Sequence, residues 1–317
     1  MHEPTGLTIG ITTRNRRQSL LRCLDSLTIL GDLLTEVIVV DDSSELPVAD
    51  ALGDLHPSIA ARTRVVRQTG SEGYIVGRNT IMRLATNEYV LLMDDDAYLI
   101  GASQRLTEAV VLMEQHAEVV AIGCAQAEAD GRPWPAAMQP APVSYRCRVA
   151  SYIGFAHLLR RRAFHETGGY REELHFYGEE KGLCAQFLSA GYQVVYMPDV
   201  LVAHVPDPAG RSTARYLRYV VRNDCLFALY NLPWLATCVN LPVRLAGYFL
   251  MKRTHPVRDP AGFFWIVREL VRALPGVVRT RRPMTWSDLA EWRRLRRQPP
   301  AWYPRSRGVA QSAAAGV

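Results

Sequence analysis

The chain has 317 residues, of which 48% are apolar and 21% charged, and it carries a net charge of +6. This composition excludes a disordered chain, a collagen and a disulfide-knot scaffold, and the length allows one large domain or two modest ones. The charge is unevenly divided. Residues 1–204 hold 18 Lys and Arg against 25 Asp and Glu, a net −7, whereas residues 205–317 hold 19 against 6, a net +13. An acidic, metal-competent first part and a tail that meets something anionic follow from that split. The six cysteines form no C-x-x-C pair, so neither a zinc site nor a disulfide framework is expected. The start MHEPTGLTIG lacks the basic and apolar regions of a signal peptide, and a cytoplasmic protein with reduced thiols is the expectation.

In chain order, Leu7–Thr12 reads as a strand and Arg17–Leu30 as an amphipathic helix with Leu20, Leu21, Leu24 and Leu27 on one face. Strands follow at Val37–Val40, Arg64–Arg67 and Tyr89–Met93, with a helical stretch at Val76–Ala85. Continuous apolar strands separated by helices predict an α/β fold with a mostly parallel sheet covered on both faces. A strand near Val119–Ala125 precedes a proline-rich loop, Arg132–Pro142, and an apolar run, Tyr152–Leu159. A helix opens near Gly178, and two strands are expected at Val194–Met197 and Val200–His204. Beyond Pro206 the sequence turns helical and basic, and the last residues read as a disordered terminus. The expected division is 1–205, 206–304 and a tail, 305–317.

Two acidic clusters end two strands: Asp41-Asp42 in VIVVDDSS, and Asp94-Asp95-Asp96 in YVLLMDDDA. Ligands of open parallel sheets bind outside the carboxyl ends of the strands, so both clusters should face one edge. A pair of aspartates after a strand is commonly just a turn or cap. Three in a row repel one another unless a cation offsets them, and hard divalent ions bind carboxylates together with phosphates. An Mg²⁺– or Mn²⁺–diphosphate site is the inference. Neither GxGxxG after the first strand nor GxxxxGK[ST] anywhere is present, which argues against a dinucleotide site and a P-loop.

Together, GITTRNRRQSLLRCLDSL, VIVVDDSS, GRNTIMRLATNEYVLLMDDDA and GGYREELHFYGEEKGLCAQFLSAGYQVVYMPDVLVAH resemble a family-2 glycosyltransferase of GT-A fold over residues 7–204. The resemblance implies a Rossmann-like nucleotide-diphospho-sugar transferase domain with a helical basic extension, inverting transfer from a nucleoside diphosphate sugar, and a divalent cation. It implies that Asp42, with Asp41 beside it, meets the nucleobase, with Thr12 and Arg14 along base and ribose. Arg14 stands where many relatives have an aromatic residue; its planar guanidinium can also stack. Arg78 and Asn79 match the family's Arg-Asn pair near the nucleotide. Asp94-Asp95-Asp96 matches the DxD element, Asp94 facing the nucleotide and Asp96 the metal. His204 matches a histidine that in some relatives adds a metal ligand.

The base for inversion is expected in Tyr177-Gly178-Glu179-Glu180, since a carboxylate must take the acceptor's proton. Glu180, Leu183, Cys184, Phe187 and Leu188 fall at helical spacing, so Glu180 is expected to continue the apolar stripe, with Glu179 toward its edge. The family usually has Glu-Asp here, with the Asp as base; this chain has Glu-Glu followed by Lys181-Gly182. A helix-cap network is the competing structural reading of the pair. Competing functions are a degenerate transferase that binds nucleotide or membrane without catalysis, and a nucleotidyltransferase, for which TTRNRR supplies no glycine- and lysine-rich phosphate loop. Nucleic-acid binding is not expected, for want of a module.

The run Arg215–Asn223 is similar to one following the catalytic domain in some rhamnosyl-type relatives. It points to a deoxysugar and to a polysaccharide or glycolipid acceptor. Residues Cys225–Val243 form 19 uncharged positions, near the length of a bilayer span, but Pro233 and Pro242 argue against one spanning helix. Peripheral attachment to an anionic membrane through Ala261–Arg282, where large apolar residues stand beside arginines, is the expectation, against a packed appendage with a solvated basic face. The donor nucleotide, UDP, dTDP or GDP, is not set by sequence.

Overall fold

The computed structural model describes residues 6–101, 103–206, 212–255 and 257–303, so the expected disordered tail lies outside the described residues. The first half contains β1 (Leu7–Thr13), α1 (Arg17–Ser26), β2 (Leu34–Asp41), α2 (Pro57–Ala60), β3 (Thr63–Arg67), α3 (Tyr74–Leu84), β4 (Tyr89–Asp94), β5 (Ala97–Leu99), α4 (Ser103–Gln115) and β6 (Val119–Ala127). There follow β7 (Cys147–Arg148), β8 (Ala156–Arg160), α5 (Arg161–Glu166), α6 (Glu179–Ser189) and β9 (Gln193–His204). Four helices close the chain: α7 (Thr213–Asn231), α8 (Trp234–Thr254), α9 (Gly262–Thr280) and α10 (Trp286–Arg297).

One sheet runs β3-β2-β1-β4-β8-β6-β9-β5, with β7 added beside β9. The four N-terminal strands are parallel throughout. The mostly parallel expectation stops there: β8 is antiparallel to both β4 and β6, and β5 and β7 are antiparallel to β9, leaving β6–β9 as the remaining parallel pair. The reason lies in the connections. Parallel neighbours need a crossover, usually a helix, and no α-helix occurs between β6 and β8.

Alternation along the strands splits the core into two layers. Ile9, Ile11, Val37 and Val39 pack with Leu20 and Leu24 of α1 and Leu106 of α4. Ile38, Val40, Val90 and Leu92 face the other layer, shared with Ile81, Leu183, Leu217, Leu226 and Ile266, so α7 and α9 complete the same core as the sheet. The helix expected over Arg17–Leu30 ends at Ser26 and continues as 3-10 turns to Leu33, with Gly31 at φ +55°. The two strands expected at Val194–Met197 and Val200–His204 are one, β9, whose register against β6 slips between Cys124 and Ala125 where Pro198, Asp199 and Val200 intervene. A proline in a strand interior is accommodated at such a bulge. The uncharged run 225–243 is divided between two helices: α7 ends at Asn231 and Pro233 caps α8, while Pro242 lies inside α8. Among the described residues no helix is long and apolar enough to cross a membrane.

Candidate functional site

Register brings the acidic groups together. Thr12 of β1 pairs with Asp94 of β4, and Thr13 with Asp41 of β2, so both clusters leave the sheet at one edge. Residue Ala97, just after the triple aspartate, pairs with His204 at the end of β9. That antiparallel pairing, between strands more than a hundred residues apart, delivers the histidine to Asp96.

The nucleoside-side candidates form one group. Asp41 is fully buried and accepts bonds from the Ser44 N–H (2.8 Å), the Val48 N–H (3.3 Å) and Arg67 Nη1 (2.7 Å). Burial pushes its carboxyl up, but these donors outweigh it and hold it below the ordinary value. Asp42 accepts from the Glu72 N–H (2.7 Å), the Gly73 N–H (3.2 Å) and Ser71 Oγ (3.0 Å), while Arg14 Nη1 donates to the same Ser71 Oγ at 2.7 Å. Thr12 packs so closely on Gly77 of α3 that a Cβ there would lie 2.6 Å from its methyl. Asn79 is engaged elsewhere: its amide nitrogen donates to the Tyr170 carbonyl (2.8 Å) and its oxygen accepts the Tyr170 N–H (3.1 Å).

The second group gathers Asp94, Asp96 and His204, whose ligand atoms lie within 4.8 Å of one another. Asp95 accepts from Thr13 Oγ1 at 2.7 Å, and Arg16 Nη1 spans Asp95 (3.0 Å) and Asp96 (2.9 Å). Burial raises Asp95 to about 6 against the pull of Thr13 and Arg16; Asp96 is also pushed up by burial, but His204 and Arg16 bring it below the ordinary value. Gln126 Nε2 donates to the Met138 carbonyl, which turns its oxygen toward His204 Nδ1 at 2.7 Å. The Nδ1 proton is thereby fixed, and His204 Nε2 faces Asp96 Oδ1 at 3.5 Å. Two acceptor atoms so opposed are reconciled by a proton or by a cation. A ring nitrogen whose partner nitrogen is hydrogen-bonded is the usual arrangement of a metal-ligating histidine, and two carboxylates with one imidazole suit a divalent ion such as Mn²⁺. The residues therefore fit a metal.

Arg78 joins this group to the third. It is 2% exposed, and its guanidinium reaches Asp94 Oδ1 (2.7 Å), Glu179 Oε1 (2.7 Å) and the Gly154 carbonyl (2.6 Å) while lying over the Tyr74 ring. Burial would pull Arg78 down, yet the two carboxylates hold it above its ordinary value.

Glu179 and Glu180 open α6 in an arrangement opposite to the one expected from helical spacing. Glu179 is the buried member, 1% exposed, drawn in by Arg78 and by Tyr74 Oη at 3.1 Å. Glu180 is half-buried, and its carboxyl lies against Gly154, where a Cβ would meet Oε1 at 2.2 Å. Spacing within α6 could not register a guanidinium arriving from α3. Among the described residues the Glu180 carboxyl shows no hydrogen bond to another residue. Burial and the neighbouring Glu179 charge raise it to about 8, opposed by Arg78. The approach to α6 is strained, with His175, Tyr177 and Gly178 at φ +58°, +67° and +85°. Asn223 of α7 holds it: Nδ2 donates to the carbonyls of Leu174 (3.1 Å), Phe176 (2.6 Å) and Tyr177 (2.7 Å). Sequence reasoning did not single out Arg16, Tyr74, Gln126, Gly154 or the role of Asn223. The one available signal was that Asn223 closes the Arg215–Asn223 run.

A sheet with its acidic groups at one edge, linked through one arginine to a helix-opening carboxylate, is the framework of a GT-A glycosyltransferase. The model of glycosyl transferase family 2 matches residues 8–173, and the chain belongs to that family. No curated protein matches its sequence. Similar solved structures include the mannosyltransferase PcManGT from Pyrobaculum calidifontis in complex with GDP-Man and Mn²⁺, at 18% identity and a TM-score of 0.56, covering 92% of this chain and 79% of that one. S. aureus TarS 1-349 in complex with UDP aligns at 18% identity and a TM-score of 0.58, covering 85% and 81%. GalNAc-T7 with UDP, GalNAc and Mn²⁺ aligns at 14% and a TM-score of 0.54, covering 87% of this chain but 58% of that one. At these identities the likeness is one of fold.

Proposed function

We propose that the chain is an inverting transferase. It moves a sugar from a UDP-, dTDP- or GDP-linked donor to a hydroxyl of a glycan, glycolipid or other acceptor, with Mn²⁺ or Mg²⁺ held by Asp94, Asp96 and His204. The observation that carries this reading is the Glu180 carboxyl, which makes no hydrogen bond to another described residue and lies against Gly154, whose carbonyl shares the Arg78 guanidinium with Asp94 and Glu179. PcManGT in complex with GDP-Man and Mn²⁺ and GalNAc-T7 with UDP, GalNAc and Mn²⁺ support the donor class and the metal.

In this reading residues 1–205 hold donor and base, and residues 206–304 hold the loop that presents the base. Asp42 and Arg14, converging on Ser71, form the nucleoside end with Thr12 and Asp41, and Arg78 and Asp95 fix the geometry of the diphosphate end. Glu180 takes the proton from the acceptor hydroxyl as that oxygen attacks the anomeric carbon. The bond from that carbon to the donor phosphate breaks with inversion, and the electron pair leaves on the nucleoside diphosphate. A bound divalent cation supplies the charge that stabilises this leaving group. Glu179, tied to Arg78 and Tyr74, orients the helix rather than receiving the proton.

Thermal unfolding with UDP, dTDP and GDP, each with and without Mn²⁺, tests the reading. A nucleotide at about 100 times its Kd adds about 2.7 kcal/mol to the native state. A metal-dependent rise for one nucleotide is expected; no rise with any of them in folded protein would overturn it.

A further inference from the structure

Helices α8 and α9 present apolar faces that no other part of the described chain covers. On α9, Phe264, Val267, Val271, Leu274 and Val278 are 74%, 37%, 59%, 43% and 75% exposed. Their spacing of three and four residues puts them in one stripe along the helix, beside the buried stripe of Ile266, Leu270 and Val277 that faces the core. Arg268, Arg272 and Arg279 run along the other border of the exposed stripe, all exposed. Glu269 is the only acidic residue of α9; it pairs with Arg272 (2.8 Å) and Arg268 (3.4 Å), one carboxylate against two guanidinium groups. Arg279 has no ion pair among the described residues.

On α8, Leu235, Val239, Val243 and Leu250 are 74%, 70%, 69% and 61% exposed. Phe249 packs on Phe263 with ring centroids 5.1 Å apart, so the end of α8 and the start of α9 meet, with Arg253 and Arg258 exposed nearby in sequence. Two exposed apolar stripes, one on each helix and meeting at Phe249 and Phe263, with cations along the border of the α9 stripe, mark an interaction face.

We propose that the α8–α9 face seats the protein on an anionic lipid bilayer. The apolar stripes enter the boundary between headgroups and acyl chains, and the arginine row meets lipid phosphates. Charge chooses this occupant over a second copy of the chain: in a two-fold contact through the stripe the arginine rows would either lie side by side or flank both borders, with Glu269 the single acidic residue of α9 to answer them. An acidic bilayer surface instead attracts each arginine and leaves the stripe a single apolar phase to enter. This inference goes beyond sugar transfer and does not depend on it.

The test is flotation of the full chain with phosphatidylcholine vesicles, with and without phosphatidylglycerol, across a salt series. Binding to the anionic vesicles that weakens with salt is expected. Replacing Arg268, Arg272 and Arg279 by Gln together should weaken it about a hundred-fold, and Val271→Glu with Val278→Glu should remove it, at unchanged melting temperature. Arg162→Gln, on the exposed face of α5, should change nothing. Equal partition to neutral and anionic vesicles, or full binding by the double Glu variant, would overturn the proposal. So would self-association abolished by Val271→Glu without vesicle binding, which would give the face to a second copy.

Discussion

At the strand ends, Arg78 is sealed from solvent between Asp94 and Glu179, whereas on α9 Arg279 stands exposed beside Val278, itself 75% exposed. Both regions are rich in arginine, and they use it differently. Along the sheet edge Arg16, Arg67 and Arg78 answer specific carboxylates and fix their positions. Along α9 the arginines border apolar surface and outnumber the single carboxylate, Glu269, that answers two of them. Net charge alone, −7 and +13, records the imbalance but not this distinction between paired and available charge.

Substitutions sharpen the contrast. Glu180→Gln should lower the transfer rate by about 10²–10⁴, the range for a lost general base, with nucleotide-dependent stabilisation retained; full turnover would place the base elsewhere. Arg78→Met removes the guanidinium from the buried Glu179, leaving it only Tyr74 Oη among the described side chains, and from the half-buried Asp94, and should cost about 3–5 kcal/mol in denaturant unfolding. Asn223→Ala removes the donor to three carbonyls and should cost about 1–3 kcal/mol. Because it frees the strained approach to Glu180, turnover should fall while nucleotide affinity holds. On the other region, Val278→Glu should leave stability within about 0.5 kcal/mol; a large loss there would show that the face is covered in the folded protein.

Proton linkage gives a further contrast. Glu180 is raised from 4.5 to about 8, so its base form accumulates as pH rises, and the rate should climb through about pH 8. Stability should move the other way. Between 4.5 and about 8 the native carboxyl keeps a proton that the unfolded chain has released, so its contribution falls as pH rises. Glu180→Gln should flatten both limbs, and a rate profile flat across this window in the parent protein would contradict the assignment.

The sequence showed its local features and hid those made by distant pairing. Apolar runs announced β1, β2 and β4, and the aspartates that end β2 and β4 announced the edge they share, because alternation and strand-end chemistry are written in consecutive residues. The antiparallel half of the sheet was not legible, since the partners of β8 and β5 are chosen across the whole chain. The same limit governed the site. The meeting of His204 with Asp96 depends on β5 pairing with β9, and the burial of Glu179 over Glu180 depends on a guanidinium from α3. Gly154 carries no sequence signal; its value appears only where a methyl group would displace the Glu180 carboxyl.

The three bonds from Asn223 bear on how such enzymes can be recombined. They fasten the segment 174–177 to α7, so the segment that leads into Glu179 and Glu180 and the helix that holds it should be exchanged together. A chimera joined at the end of β9 would pair a presenting loop from one parent with a fastening helix from another. Crossovers placed before Leu174 and after Asn231 would move the segment, Glu180 and Asn223 together, but they would carry His204 with them, so Asp94 and Asp96 of one parent would face the histidine of the other.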